Sequence, residues 1–419
     1  MDDMFVSNSW VYRWFMRQFC IIVFVIGMYC CSGVLRKLPA CTIDVFEANT
    51  LPYGLVRYGV APDHPEVKNC MRQFDKMFST HHDRLKLYCN VRIGVDITFD
   101  ELLPNYDAVV LAYGAGKRKS LKIPGIHAKN VFSGDEFVHW YNGFPEAVAP
   151  SLNVKNVVII GVGNVALDCC RILLRDPSEL TNTYMSKSVL ELLKHSSVQK
   201  VTILGRRGPL EASFTTKELR EQINLRGCSF SAMIDSEDEK AIHSSLTTLQ
   251  RPKRRLIELL LKNVATTLVQ PRQCQIFFRR SPCEVRINKE GAVKSIVLKN
   301  ERTKIYDILP CGMLIYCLGY ENMVLSGLPK NDNGQLDMVE GVRVNMPNPS
   351  GTLVYATGWC SHPPRGVITQ TQFDSANVST ALCKNLQTAG VSKPLEGDIE
   401  ELLKERCIKY TLRNQNEET

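Results

Sequence analysis

The run Val157-Val158-Ile159-Ile160-Gly161-Val162-Gly163-Asn164-Val165-Ala166 joins an apolar stretch to two glycines one residue apart and a small residue three further on. This pattern predicts a buried strand, a tight turn and a helix. Glycines 161 and 163 let the backbone approach a pyrophosphate, and Ala166 lets the helix close on its strand. The helix N-terminus then presents unpaired N–H groups to anionic oxygens. Taken alone, the motif could be no more than a tight turn. The next apolar run, VQKVTILGRRG (198–208), ends at Gly205-Arg206-Arg207, where an NAD site carries an acid for the ribose hydroxyl. Two guanidiniums at that place suit a ribose 2′-phosphate, because planar forked donors bind phosphate in pairs. The expectation is therefore NADP rather than NAD, against the competing reading of a solvated arginine pair. The glycines and arginines stand further apart than the usual about 20 residues, which places an insertion at 176–197.

The surrounding elements are those of an α/β chain with parallel sheets, short apolar runs alternating with helical stretches. CTIDVFE (41–47) reads as a strand closing on an acid, and YDAVVLAYG (106–114) as a strand running into a glycine. GMLIYCLGY (312–320) and GTLVYATGW (351–359) repeat that form. CQIFFRRSPCEVRINKEGAVKSIVLKN (274–300) predicts an antiparallel pair turning at Glu290-Gly291. The tail, Asn414–Thr419, is polar.

Length and composition bound the rest. A chain of 419 residues exceeds what one core usually serves and points to two domains. Hydrophobic residues at 44% and charged ones at 22% argue against disorder, collagen or a polytopic membrane protein. The 16 cysteines are spread over the chain without a CxxC pair, in doublets at Cys30-Cys31 and Cys169-Cys170, so they read as reduced. A net charge of +8 favours an acidic partner but falls short of a nucleic-acid binder's footprint, and no nucleic acid is expected.

Four segments, GLVRYGVAPDHPEVKN (54–69), GNVALD (163–168), GRRGPLEASFTTKELRE (205–221) and GWCSHPPRGVITQTQFDSA (358–376), together resemble the NADPH-adrenodoxin reductase family, the mitochondrial ferredoxin-NADP reductases. The resemblance runs from about residue 34 to 390 in one order. It implies two Rossmann-like dinucleotide-binding domains, the NADP domain inserted into the FAD domain, with boundaries at 34–114 and 317–419 for FAD and 115–316 for NADP. It further implies hydride transfer from NADPH to FAD, then single-electron transfer to a [2Fe-2S] ferredoxin. Carried over by residue, Glu47 takes the adenosine ribose of FAD, Leu55 and Val91 line that site, and Trp359 with Gly366, Val367 and Ile368 holds the isoalloxazine. Val162, Gly163, Asn164, Val165, Arg206, Arg207 and Glu218 bind NADP, with Gly366 also near the nicotinamide; Val162 stands where the family usually has Gln. The chemistry of the residues agrees: Glu47 closes a strand, and Gly366 follows Arg365 where a flat ring could approach the backbone. His64 and Glu221 match family positions near the flavin and nicotinamide, where they would organise hydrogen bonds; His64 could equally be a structural hydrogen-bonder. Asp63 reads as a turn cap.

Residues 1–33 depart from the family, which begins with a strand and GxGxxG for the FAD pyrophosphate. The apolar stretch 20–35, CIIVFVIGMYCCSGVL, reads as a membrane anchor or signal-like segment, as a buried first strand, or as an atypical terminus. With CIIVFVI as the strand, Gly27 is the first glycine of the turn, and Tyr29 and Ser32 stand where the second and third should be. Such a turn would weaken FAD binding. Either the chain is a variant with a different first segment, the favoured explanation, or the segment was recruited as an anchor. The terminus lacks the Arg-rich, acid-poor character of a presequence, so a mitochondrial location rests on the resemblance alone.

A ferredoxin is acidic, and a basic face would speed its encounter. Lys217, Arg220 and Arg226 form one cluster, and Arg251, Lys253, Arg254 and Arg255 another; the former is the better surface. The chain is expected to be monomeric. The alternative function is a flavin-poor NADP-binding protein, tethered to a membrane, with weak or no reductase activity. A flavin disulfide reductase is disfavoured by the lack of CxxC.

Overall fold

The computed structural model describes residues 17–22, 25–264, 270–347, 351–363, 368–388 and 398–412. It divides into two compact units: Met1–Arg57, Glu66–Arg118 and Gly319–Thr419 form the first, and Tyr58–Pro65 with Lys119–Leu318 the second. The α/β class and the paired dinucleotide-binding architecture are as the sequence implies. The division differs from the expected one in its borders, which fall at Arg118/Lys119 and Leu318/Gly319, and in one short segment. The octet Tyr58–Pro65, flanked on both sides by the first unit, belongs to the second.

In the first unit, β1 (Arg17–Ile22) leads into α1 (Val25–Lys37), then β2 (Cys41–Glu47), β3 (Leu85–Cys89) and β4 (Ala108–Leu111). The strand Leu353–Ala356, β4, β1, β2 and β3 lie side by side and parallel, with short antiparallel strands at both edges. β1 is central, pairing Phe19 with Ile43 on one side and Ala108 on the other. A strand covered on both faces has to be apolar throughout, and Phe19, Cys20 and Ile21 are all buried. The stretch 20–35, for which an anchor was one reading, is thus split between a core strand and a 13-residue helix that buries Met28, Cys30, Cys31, Val34 and Leu35. Among the described residues no helix is long and apolar enough to cross a membrane. α1 packs so tightly on the helix Ile368–Thr388 that a Cβ at Gly33 would stand 2.4 Å from the Ser379 Oγ.

This placement corrects the reading of the first turn. β1 ends at Ile22 rather than Ile26, and Gly27 lies inside α1, as do Tyr29 and Ser32. The apolar run CIIVFVI misled because strand and helix are both apolar here, leaving no change of pattern at their junction.

The second unit holds β5 (Val131–Ser133), β6 (Asn156–Ile160), α2 (Asn164–Leu174), β7 (Lys200–Leu204), α3 (Thr216–Ile223), β8 (Cys228–Met233) and β9 (Arg272–Phe277). It continues through β10 (Arg280–Ile287), β11 (Val293–Asn300), β12 (Tyr306–Pro310) and β13 (Met313–Tyr316). Six strands form a parallel sheet in the order β5-β13-β6-β7-β9-β8. β10, β11 and β12 make a separate antiparallel sheet. The segment 274–300 is therefore not a single hairpin: its start is β9 of the parallel sheet, and the antiparallel pair begins at Arg280. The expected turn at Glu290-Gly291 stands, Gly291 having φ +76°. The insertion between α2 and β7 carries a short 3-10 turn at Pro177–Leu180 and the helix Lys187–Lys194.

Candidate functional site

In the second unit the β6–α2 turn has the geometry a phosphate cradle requires. Gly161 adopts φ +118°, and a Cβ there would stand 2.2 Å from the carbonyl oxygen of Cys317, so only glycine fits. Gly163 is the N-cap of α2 with no side-chain cap bond, leaving the first N–H groups of the helix to a ligand. Val162 gives its carbonyl to the Ser213 amide and hydroxyl, and the Asn164 Oδ1 accepts the Thr215 amide, so the turn is braced from the segment that opens α3. Val165 is 42% exposed on the first turn of α2. β7 lies next to β6 in register, Leu204 opposite Ile160, and directly beyond its end Arg206 and Arg207 are both exposed. The residues present fit a 2′-phosphorylated dinucleotide.

A charged cluster lies beneath α2 and α3. The Arg171 side chain, fully buried, donates through Nε and Nη2 to Asp63 at 2.7 and 3.0 Å. Its Nη2 is also 2.7 Å from Asp168 and its Nη1 3.6 Å from Glu221. Arg175 adds a third bond to Asp63 at 2.9 Å. Asp63 is thus no turn cap: it ties the Tyr58–Pro65 octet to α2. Burial opposes its ionisation, but the hydrogen bond and charge of Arg171, with Arg175, prevail and hold its pKa below the usual carboxylate value. Asp168 goes the other way, burial raising it despite Arg171.

His64, buried, meets the Glu221 carboxylate through Nε2 at 2.8 Å. Glu218 lies beside them, its pKa raised by burial and then by the Asp168 charge, and its Oε2 has no hydrogen-bond partner among the described residues. Ligand atoms of His64, Glu218 and Glu221 fall within 4.8 Å of one another. Arg171 already supplies a cation to this set, so it reads as a hydrogen-bonding network rather than a metal centre. Sequence reasoning missed Asp168, Arg171 and Arg175. The signal was there: one arginine within the apolar run Cys169-Cys170-Arg171-Ile172-Leu173-Leu174 must be paired if the run is buried.

In the first unit Glu47 closes β2 and is buried at 4% exposure. Its carboxylate accepts from the amide and side chain of Asn49, and its carbonyl accepts from the Val91 amide at 3.0 Å, so two of the expected residues meet here. Burial pushes the Glu47 pKa up to about 7 in spite of the Asn49 bonds. Leu55 is half-buried on the short helix Gly54–Tyr58. Trp359 lies 6.0 Å from the Tyr320 ring, and its buried Nε1 has no acceptor among the described residues. Gly366 and Val367 lie outside the described residues, and Ile368 begins a helix. Glu47 and Trp359 suit a flavin dinucleotide; the β1–α1 junction does not, since Ile22, Val23, Phe24, Val25 and Ile26 include no glycine. The sixteen cysteines are free, as the lack of pairing in the sequence implies.

Two parallel nucleotide-binding folds in one chain, one with a glycine cradle followed by paired arginines, define a pyridine-nucleotide oxidoreductase. Residues 88–227 match the family described as pyridine nucleotide-disulphide oxidoreductase. The chain is 37% identical over 387 residues to NADPH:adrenodoxin oxidoreductase of Bos taurus, covering 86% of this chain and 77% of that protein. It is 33% identical to the Arabidopsis thaliana protein of the same name, covering 91% and 85%. The structure of FprA, a Mycobacterium tuberculosis oxidoreductase solved in complex with NADPH, superposes with a TM-score of 0.82 at 31% identity, covering 95% of this chain and 91% of that one. The chain belongs to the NADPH:adrenodoxin oxidoreductase family, oxidoreductases that use FAD and NADP.

Proposed function

We propose that this chain takes a hydride from NADPH on its second unit and delivers electrons singly to an acidic [2Fe-2S] ferredoxin in the mitochondrion. FAD, when bound, supplies the step between a two-electron donor and a one-electron acceptor; the protein supplies binding, orientation and electrostatics. The turn Gly161–Asn164 cradles the NADP pyrophosphate, Arg206 and Arg207 take the 2′-phosphate, and Glu218 lies on the path to the nicotinamide. His64 and Glu221, fixed by Arg171, position hydrogen bonds at the reacting ring. Glu47, Leu55, Val91, Trp359 and the segment Gly366-Val367-Ile368 serve FAD. The ferredoxin docks on α3, where Lys217 and Arg220 are exposed. In the second basic cluster Lys253 and Arg254 donate to backbone carbonyls.

The observation that carries this reading is the pairing of a glycine turn on β6 with exposed arginines at the end of the adjacent β7. Arg206→Ala tests it. The lost charged hydrogen bonds weaken NADPH by about 1.5 to 3 kcal/mol, while NADH, lacking the phosphate, is unchanged. Equal weakening of both cofactors in a binding titration refutes the assignment.

A further inference from the structure

The two units carry the same local construction, a central parallel strand running into a helix, and they differ at the one place where a diphosphate would sit. In the second unit, β6 reaches α2 through Gly161 and Gly163, the former in a conformation and a space that admit no side chain. In the first, β1 ends at Ile22 and α1 begins at Val25. The two intervening residues, Val23 and Phe24, enter the argument only by identity: both carry large apolar side chains.

The first turn of α1 is itself held in place by packing and a hydrogen bond at Ile26. Ile26 is buried, and a Cβ at Gly358 would stand 2.6 Å from its Cδ1. The Ile26 carbonyl accepts the Ser375 hydroxyl at 2.9 Å, so this turn is fastened where it is. On the neighbouring strand, one residue beyond the Ile22–Phe46 pair, Glu47 on β2 retains what a ribose needs: a carboxylate at a strand end, held by Asn49. The strand order that brings β2 beside β1 is intact. The frame and the ribose acid are present, then, while the diphosphate turn is missing.

We propose that this chain holds FAD as a dissociable ligand, gripped at the adenosine ribose and not at the diphosphate, so that the flavin exchanges with solution. The inference rests on the assignment of the first unit to FAD made above, and it adds the mode and strength of binding. Each backbone hydrogen bond to a charged oxygen is worth about tenfold or more in affinity. Two or three of them lost weaken FAD about 100-fold to 1000-fold relative to a glycine cradle.

The test uses the full chain, purified and passed once through gel filtration without flavin. FAD is then titrated by its fluorescence, with NADP+ at saturation to occupy the other unit. The expected results are under one-tenth flavin occupancy by visible absorbance after filtration and reversible FAD binding in the micromolar range. As competitors of FAD, ADP and adenosine should bind within about threefold of each other, because the diphosphate finds no partners. Stoichiometric flavin retained through filtration overturns the proposal, and so does ADP binding more than tenfold tighter than adenosine. A double variant, Val23→Gly with Val25→Gly, should tighten FAD at least tenfold, and no gain while NADP+ still binds counts against the proposal. Failure of the unmodified chain to bind NADP+ at all would instead strike the functional assignment and leave the FAD measurements to stand by themselves.

Discussion

Replacing Arg171 by Met removes the only fully buried guanidinium among the described residues and keeps most of its volume. Asp63 would lose two hydrogen bonds and keep Arg175 at 2.9 Å; Asp168 would lose its partner at 2.7 Å. Stranding a buried charge in this way costs about 3 to 5 kcal/mol. The cost depends on pH, and its sign can be worked out. In the native protein the folded pKa of Asp63 is depressed, so its contribution is present above the unfolded value near about 4 and is lost as pH falls through the folded one. Without Arg171, Asp63 and Asp168 both rise, and their ionised forms become the penalty. That penalty is full at pH 7.5 and shrinks towards pH 5 as the carboxyls take up protons. Urea unfolding followed by the fluorescence of Trp140, buried in the core of the second unit, reads the difference. The same variant at Arg175, which is 22% exposed and leaves Arg171 in place, should cost about 1 kcal/mol. A loss below 1 kcal/mol for Arg171→Met, or an equal loss at pH 5 and 7.5, refutes the view of Arg171 as the charge that permits this cluster.

Three further outcomes are expected. Gly161→Ala drives a Cβ onto the Cys317 carbonyl at a positive φ, so NADP+ affinity should fall at least tenfold and the melting temperature should drop, both by more than in Gly205→Ala, where the Cβ meets the side chains of Val162 and Phe278 at 3.1 and 3.2 Å. Arg220→Glu should slow electron transfer to cytochrome c through ferredoxin and leave NADPH-dependent ferricyanide reduction unchanged; parallel loss of both marks a folding defect. In the first unit, burial raises Glu47 to about 7 and Asp44 to about 6. Folded pKa values above the unfolded ones give stability that is full below about pH 4 and lost as pH rises through 6 to 7, roughly 3 kcal/mol for each group at most. Glu47→Gln should therefore be more stable than the parent at pH 8 and not at pH 5 in thermal melts, and the reverse order would refute the burial argument.

Much of the fold was legible because apolar runs ending in glycine or an acid behave as parallel strands. β2 spans Cys41–Glu47, as read, and β6 and β7 lie within the runs assigned to them. The glycine motif and the arginines beyond β7 could be read because each is a local pattern. The carboxylate–arginine cluster could not, since Asp63 and Arg171 are 108 residues apart and meet only through the tertiary fold. The N-terminus failed for another reason. When a buried strand passes into a buried helix, nothing polar marks the border, and the expected glycine at the border is absent.

The membership of Tyr58–Pro65 in the second unit bears on how the polypeptide acquires its structure during synthesis. This octet leaves the ribosome well before Lys119–Leu318, yet Arg171 has no complete set of counter-charges until Asp63 is docked against it. The central sheet of the first unit is delayed for longer, because Leu353–Ala356 must arrive to cover β4. A gene fragment encoding 119–318 alone would make a product whose buried guanidinium keeps Asp168 but loses both of its bonds to Asp63. Any autonomous version of that half has to carry the octet with it, grafted or supplied as a peptide.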